Sequence, residues 1–282
     1  MTGVLGGLVA AVLWGVSAIA AARSTRELGA PCAMSWVLAV GTLVTVPPAL
    51  VLGFDGPVTA HAIAWTLVVC VITPISFFLM YAALVHGSVS VVMPIIAVSG
   101  AIAAVISVVL GERLGLPAGA GLVVLTVGLL VVLTRPGTAD GGSHGLRPLL
   151  FAAASATCAG IGLYGVTKTT GWLGVVGVVA VVRAAGFLIV GVPTIAGRRF
   201  RRPGRAMPYV LFSGVADTLA FGALVWAEDR DGVAVPAVIS SQFAAIAALL
   251  GILRLGERPT RLQAAGVLAL LTGITIVSAA HV

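Results

Sequence analysis

The sequence predicts an all-α membrane protein with ten transmembrane helices, arranged as two inverted five-helix repeats. Of the 282 residues, 60% are hydrophobic and only 9% are charged, whereas a soluble domain has about 45–50% apolar and about 25% charged residues. The apolar stretches are continuous and lack the apolar–polar alternation of a membrane β-barrel. The net charge of +7 lies in short segments between these stretches. This composition excludes a soluble enzyme, a disordered chain and a nucleic-acid-binding protein.

Ten segments are long enough to span a membrane, because a transmembrane helix needs about 20 apolar residues. Charged residues, turn clusters and Gly or Pro breaks delimit them at 3–22, 31–53, 62–85, 89–110, 115–134, 148–167, 173–196, 208–227, 234–253 and 261–280. Only short connectors remain between the segments. We therefore expect a multi-pass protein of the cell membrane that acts within the bilayer.

The two halves of the chain align without a gap at an offset of 145 residues. The aligned pairs are Gly15 with Gly160, Gly29 with Gly174, Gly41 with Gly186, Gly87 with Gly232, Gly121 with Gly266, Gly128 with Gly273 and Pro48 with Pro193. The repeats are predicted at 1–136 and 145–282. Each has five spans, and this odd number inverts the second repeat in the bilayer. Transporters built in this way bind substrate near the midplane, between the repeats.

Segment 3–22 aligns with an internal span, so we expect it to be retained and not cleaved as a signal peptide. Positive residues in short loops indicate orientation, because they favour the cytoplasmic side. Twelve Lys and Arg residues lie on one side of the predicted spans and three on the other. The segment 197–207 contributes most to this difference, which predicts that both termini lie outside the cytoplasm.

The segment 256–266, which begins Gly256-Glu257-Arg258 and is followed by Gly273, resembles the closing signature of the EamA family of the drug/metabolite transporter superfamily. Gly111-Glu112-Arg113, with Gly121 and Gly128, resembles a looser first copy without the glutamine. The resemblance implies a gradient-driven metabolite carrier, most often an exporter of amino acids or related solutes. Two features depart from the superfamily: the predicted orientation, and the lack of the acidic residue that its small multidrug branch carries in the first helix.

Arg183 and Asp217 are the strongest candidates for a functional site. An intramembrane charge costs about 2.5–3.5 kcal/mol on insertion scales, which makes it a functional candidate. Both residues are predicted at mid-depth on consecutive antiparallel helices, where they would meet. One hypothesis is a structural ion pair between the helices. The other is a substrate site, in which Arg183 binds an anionic group and Asp217 binds an amino group or a proton.

Other polar or aromatic groups at membrane depth are Trp14, Ser99, Ser240, Ser241 and Gln242. A central cavity would supply partners for them, although the serines can bond to their own helix and Trp14 can simply pack. Most other Trp and Tyr residues, including Tyr81, fall near predicted helix ends and suit an interfacial belt. Glu112 and Glu257 precede predicted helices, and we expect each to cap the helix that follows it.

The leading functional hypothesis is a secondary transporter that exports small polar metabolites, such as amino acids, by alternating access. The expected partners are a small-molecule substrate, the lipid bilayer and a coupling proton, with no nucleic acid, metal or cofactor and with the oligomeric state left open. One alternative is a non-transporting membrane scaffold or receptor. Another, an intramembrane enzyme, would need clustered acids, histidines or a nucleophile at one depth, whereas the predicted spans hold one mid-membrane acid.

Overall fold

A computed structural model describes residues 2–53, 56–109, 124, 146–231, 236, 239–257 and 261–279, and none of these lies in a β-strand. The helices are α1 Thr2–Leu28, α2 Ala30–Leu52, α3 Ala60–His86, α4 Val89–Ala97, α5 Ser99–Val109, α6 Leu146–Val166, α7 Thr170–Gly186, α8 Val192–Ala196, α9 Met207–Asp231, α10 Phe243–Leu255 and α11 Arg261–Ala279. A π-helical turn, Phe187–Gly191, joins α7 to α8, and a 3₁₀ turn, Gly204–Ala206, precedes α9.

Within the described ranges, six helical segments are long and apolar enough to cross a membrane. They are Thr2–Leu28, Ala30–Leu52, Ala60–His86, Leu146–Val166, Thr170–Ala196 and Gly204–Arg230. These coincide with six of the spans expected from the sequence. The expected span 115–134 lies outside the described residues, apart from Val124.

The sequence predicts continuous helices at 89–110 and 234–253, but in the structure a turn interrupts each of them. The first breaks at Val98, between α4 and α5, where the Val98 N–H donates to Ile95 at 3.2 Å in a 3₁₀ pattern. The second has a turn at Ser241 and Gln242 just before α10, and the Gln242 N–H donates to Ile239 at 3.1 Å.

The two repeats pack against each other through equivalent pairs of helices. The most extensive contacts are those of α1 with α9 and of α3 with α6. The offset of 145 residues places α1 on α6 and α3 on α9, so the two pairs are counterparts. The central core of the protein is therefore shared between the repeats.

Small residues also allow α1 to approach α10 closely and α6 to approach α5. A Cβ on Gly15 would lie 2.6 Å from Ile246 Cβ, and one on Gly160 would lie 2.7 Å from Ile102 Cβ. Gly15 and Gly160 are equivalent positions in the two repeats. Membrane helices associate largely through such close packing, since lipid supplies no hydrophobic force between them.

Candidate functional site

Arg183 of α7 and Asp217 of α9 form a buried ion pair. Arg183 Nη1 lies 2.7 Å from Asp217 Oδ2, and Arg183 Nη2 donates a hydrogen bond of 3.1 Å to the main-chain oxygen of Asp217. The two residues are only 1% and 6% exposed. The contact predicted from their matching depth is confirmed.

The rest of the Arg183 guanidinium is enclosed by aromatic rings. Its Cζ lies 5.1 Å from the ring centre of Phe77 and 5.5 Å from that of Phe221, within the range of cation–π attraction. Gly41 makes room for the arginine, because a Cβ there would lie 3.0 Å from Arg183 Cδ. The charge is thus held by one carboxylate and two ring faces, while Arg183 Nε has no hydrogen-bond partner in the described part of the chain.

Trp14 of α1 supplies a third contact to Asp217. Its indole Nε1 donates a hydrogen bond of 2.9 Å to Asp217 Oδ1, and its ring meets Phe243 edge-on at 5.8 Å between ring centres. Asp217 therefore joins α1 of the first repeat to α7 and α9 of the second. The contacts fix the carboxylate from two sides while leaving it at the wall of a cavity.

This cavity, of about 120 Å³, lies at the centre of the helix bundle. Its aromatic and larger aliphatic lining residues are Trp14, Phe77, Met80, Tyr81, Leu84, Met93, Ile96, Leu163, Val166, Phe221, Leu224 and Phe243. Its hydroxyl groups come from Ser17, Thr73, Ser76, Tyr81, Ser99, Ser155, Ser240 and Ser241. Among the described residues that line it, Asp217 is the only charged one. Mostly apolar walls with a few placed polar groups are typical of small-molecule sites.

Equivalent residues of the two repeats line the same cavity. The pairs at the common offset of 145 residues are Trp14 with Ala159, Ser17 with Gly162, Ala18 with Leu163 and Ala21 with Val166. The broken helices also contribute residues near their breaks, Ile96 in the first repeat and Ser241 at the equivalent position of the second. The cavity therefore lies between the two repeats.

Five of the seven candidates from the sequence line this cavity: Trp14, Ser99, Asp217, Ser240 and Ser241. Arg183 lies behind Asp217 and does not line it, so in this conformation its guanidinium contacts the protein and not the cavity. Gln242 does not line it either. It lies at the break before α10, where its main-chain oxygen accepts a hydrogen bond of 3.0 Å from Ala245.

Sequence reasoning missed several lining residues. Tyr81, which the sequence placed in an interfacial belt, is 2% exposed and lines the cavity. That assignment was wrong because Tyr81 lies more than a turn inside α3, which ends at His86. Ser76 and Ser155 were also missed; each hydroxyl donates to the other residue's main-chain oxygen, at 2.9 and 2.8 Å. Their depth in the membrane could be predicted from the sequence, but the side of the helix on which they lie could not.

The signature glutamate Glu257 caps a helix that the sequence did not indicate. Its two carboxylate oxygens accept hydrogen bonds of 2.8 Å each from the N–H groups of Val89 and Ser90, at the start of α4. Arg26 Nη2 lies 3.4 Å from Glu257 Oε1 and donates to the Gly87 oxygen at 3.2 Å. The second repeat thus caps a helix of the first. Glu112 lies outside the described residues.

Comparisons with known proteins identify the class. The model of the EamA-like transporter family matches residues 1–134 and 146–279, and the chain belongs to this family. A solved structure described as "Crystal structure of protein" has a TM-score of 0.68 and 18% identity over 98% of this chain and 96% of its own. That likeness shows a shared fold. A search of curated proteins gives no match.

The family and the helices together define a membrane transporter of the drug/metabolite transporter type. It is a multi-pass integral protein of the cell membrane. Proteins of this family are generally not enzymes. The described part of the chain is all-helical and comprises two EamA repeats with six apolar spans.

Proposed function

We propose that the protein is a secondary active transporter that exports small amphipathic metabolites, such as amino acids with apolar or aromatic side chains. The observation that carries this proposal is the Asp217 carboxylate in the wall of a largely apolar cavity between the two repeats. The transport function follows from the family, and the export direction rests on the resemblance in the signature segments. The substrate class follows from the chemistry of the cavity.

In the proposed binding mode, the substrate's amino group approaches Asp217 and its apolar side chain lies among the aromatic and aliphatic walls. Because Arg183 already compensates the charge of Asp217, the site as a whole is close to neutral and suits a zwitterion better than a free cation. The hydroxyl groups near the two breaks, at Ser99 and Ser241, are suited to receive the substrate's carboxylate. Arg183 and Trp14 act as positioning residues for Asp217.

Alternating access would use the two repeats as the moving parts, within the ten-helix, inverted-repeat architecture expected from the sequence and with boundaries near 1–136 and 145–282. Discontinuous helices next to a midplane site are a recurring feature of transporters. Support comes from the break at Val98 and the turn at Ser241 and Gln242, which occur near equivalent positions and flank the cavity.

The test is transport of labelled amino acids in proteoliposomes, with apolar, aromatic, polar and charged members of the panel assayed separately in both directions. We expect the wild type to move apolar or aromatic members and Asp217→Asn to lose this activity. Asp229→Asn is the matched control, because it alters an exposed carboxylate on the same helix and should transport normally.

Size-exclusion chromatography of each variant separates loss of function from loss of fold. If a folded Asp217→Asn protein transports as well as the wild type, Asp217 does not bind substrate. If no member of the panel moves with the wild type while the protein is folded, the proposed substrate class is wrong. Preferential movement of polar or charged members would also refute it.

A further inference from the structure

Glu228 lies on the same face of α9 as three residues that line the cavity. Asp217, Phe221 and Leu224 line it, and Glu228 continues their spacing of four, three and four residues, which keeps all four on one side of a helix. Glu228 is one turn beyond Leu224, toward the membrane face at which α1 begins. It therefore stands between the cavity and that face.

The carboxylate of Glu228 is buried without a partner. The residue is 6% exposed, and neither Oε1 nor Oε2 has a hydrogen-bond partner among the residues that the structure describes. Its neighbours behave differently: Asp229 and Arg230 are exposed, and the Arg230 guanidinium lies 5.0 Å from the ring centre of Trp226. Burial is thus specific to the acid that faces inward.

Within the described ranges, the elements that pack most extensively against α9 bring no charged side chain to this depth. They are α1, α2, α7 and the 3₁₀ turn. Gly6 of α1 faces Ala227, and the first charged residue of α1, Arg23, is about 25 Å further along at 1.5 Å per residue. On α7, Arg183 pairs with Asp217. Along α9, Asp217 is about 16 Å from Glu228 at the same rise per residue.

The remaining packed elements are equally free of charge near Glu228. α2 contains no Asp, Glu, Lys, Arg or His; its Cys32 contacts Arg201, near the opposite end of α9. The 3₁₀ turn carries only Arg205, before the first residue of α9. After Asp231, residues 232–253 contain no titratable side chain in the sequence.

Close packing of α1 keeps water from this carboxylate. A Cβ on Gly6 would lie 2.5 Å from Ala227 Cβ and 2.7 Å from the Ala223 oxygen, and one on Gly7 would lie 3.0 Å from the Pro236 oxygen. α1 is therefore packed closely against α9 beside Glu228, which is 6% exposed. Opening the cavity toward this face would separate these same contacts and admit water to the acid.

We propose that Glu228 is the proton-coupling site of the transporter. An ionised carboxylate buried without a partner is far more costly than a neutral one, so Glu228 holds a proton while this end is closed. When the repeats separate here, the O–H bond breaks, the proton passes to water at this face and a hydrated carboxylate remains. Glu228 regains a proton from water that reaches it through the cavity when the repeats open toward the opposite face, so one proton crosses the membrane in each cycle. The inference rests on the proposed transport function, since it assigns the driving ion.

A chemical test uses the wild type without any substrate. Dicyclohexylcarbodiimide forms a stable adduct with protonated carboxyl groups in apolar surroundings, and peptide mass spectrometry locates the adduct. We expect modification of Glu228 but not of Asp229, with Glu228→Gln as the negative control. Absence of the adduct at Glu228, or equal modification of Asp229, would overturn the proposal whatever the substrate is.

A transport test separates coupling from movement, using whichever amino acid the panel identifies. We expect Glu228→Gln, which mimics the neutral acid, to retain exchange of labelled for unlabelled substrate under equal pH but to lose accumulation driven by a pH gradient. Asp229→Asn should retain both the exchange and the gradient-driven accumulation. If Glu228→Gln still accumulates substrate with the gradient, the coupling assignment fails and the transport function stands.

Discussion

Glu257 caps the first turn of α4 by accepting a hydrogen bond of 2.8 Å from the N–H of Val89, which lies in the other repeat. The same carboxylate binds Ser90 N–H, and its side chain is only 7% exposed. The N-terminal N–H groups of a helix have no partner within the helix, and a nearby carboxylate satisfies them and interacts favourably with the helix dipole. The family signature therefore joins the two repeats.

Removing this cap should destabilise the protein measurably. We expect Glu257→Ala to lower the free energy of unfolding by about 0.5–2 kcal/mol, the usual cost of a lost N-cap. Denaturant titration in detergent micelles gives the value, with Glu27→Gln at an exposed position as the control. Equal stability of Glu257→Ala and wild type would show that the two hydrogen bonds contribute nothing.

Replacing Arg183 alone should destabilise the protein more than replacing both Arg183 and Asp217. Arg183→Met leaves the Asp217 carboxylate without its counter-ion, and breaking a buried pair in this way costs about 3–5 kcal/mol. The double variant Arg183→Met, Asp217→Asn removes both charges and should be more stable than Arg183→Met alone. A double-mutant cycle compares the unfolding free energies of the wild type, Arg183→Met, Asp217→Asn and the double variant. Additive effects of the two replacements would contradict a direct interaction.

Trp14→Phe tests the hydrogen bond to Asp217 while retaining an aromatic ring. A hydrogen bond to a charged group contributes about 1.5–3 kcal/mol, so we expect a loss of stability in this range and weaker transport. Trp36→Phe is the comparison, because Trp36 Nε1 donates to a main-chain oxygen of Arg201 in an exposed position. A smaller loss for Trp14→Phe than for Trp36→Phe would contradict the role given to Trp14.

Adding one methyl group should have opposite effects at two helical glycines. A Cβ on Gly160 would lie 2.9 Å from the Ser99 oxygen and 2.7 Å from Ile102 Cβ, whereas one on Gly222 would find Val179 Cγ2 at 4.0 Å. Gly160→Ala should cost about 1–3 kcal/mol through overpacking. Gly222→Ala should be neutral or stabilising by up to about 1 kcal/mol, because alanine favours helices. Thermal unfolding of the two variants and the wild type shows whether each replacement lowers or raises the stability.

The sequence was sufficient to predict the features that depend on depth in the membrane. Contact between Arg183 and Asp217 was predictable because both lie at the same depth on consecutive antiparallel helices, where the other is the nearest opposite charge. The repeat was visible for a similar reason, since glycines at helix contacts must occupy matching positions in both copies.

Features that depend on helix rotation and long-range packing were not predictable from the sequence. Tyr81 was assigned to the wrong surroundings because its orientation is set by packing against other helices. The helix capped by Glu257 could not be identified either, because its start at Val89 is distant in the sequence. Glu228 follows directly after the predicted span 208–227, and the close packing of α1 against α9 beside it is not visible in the sequence.

The cap on α4 also has a consequence for the biogenesis of the protein. Glu257 follows Val89 by 168 residues, so during synthesis α4 enters the membrane long before its capping carboxylate has been made. Until then its first N–H groups must bind water or lipid headgroups. The first repeat is therefore incomplete when it leaves the ribosome, and the last connector of the chain completes its assembly.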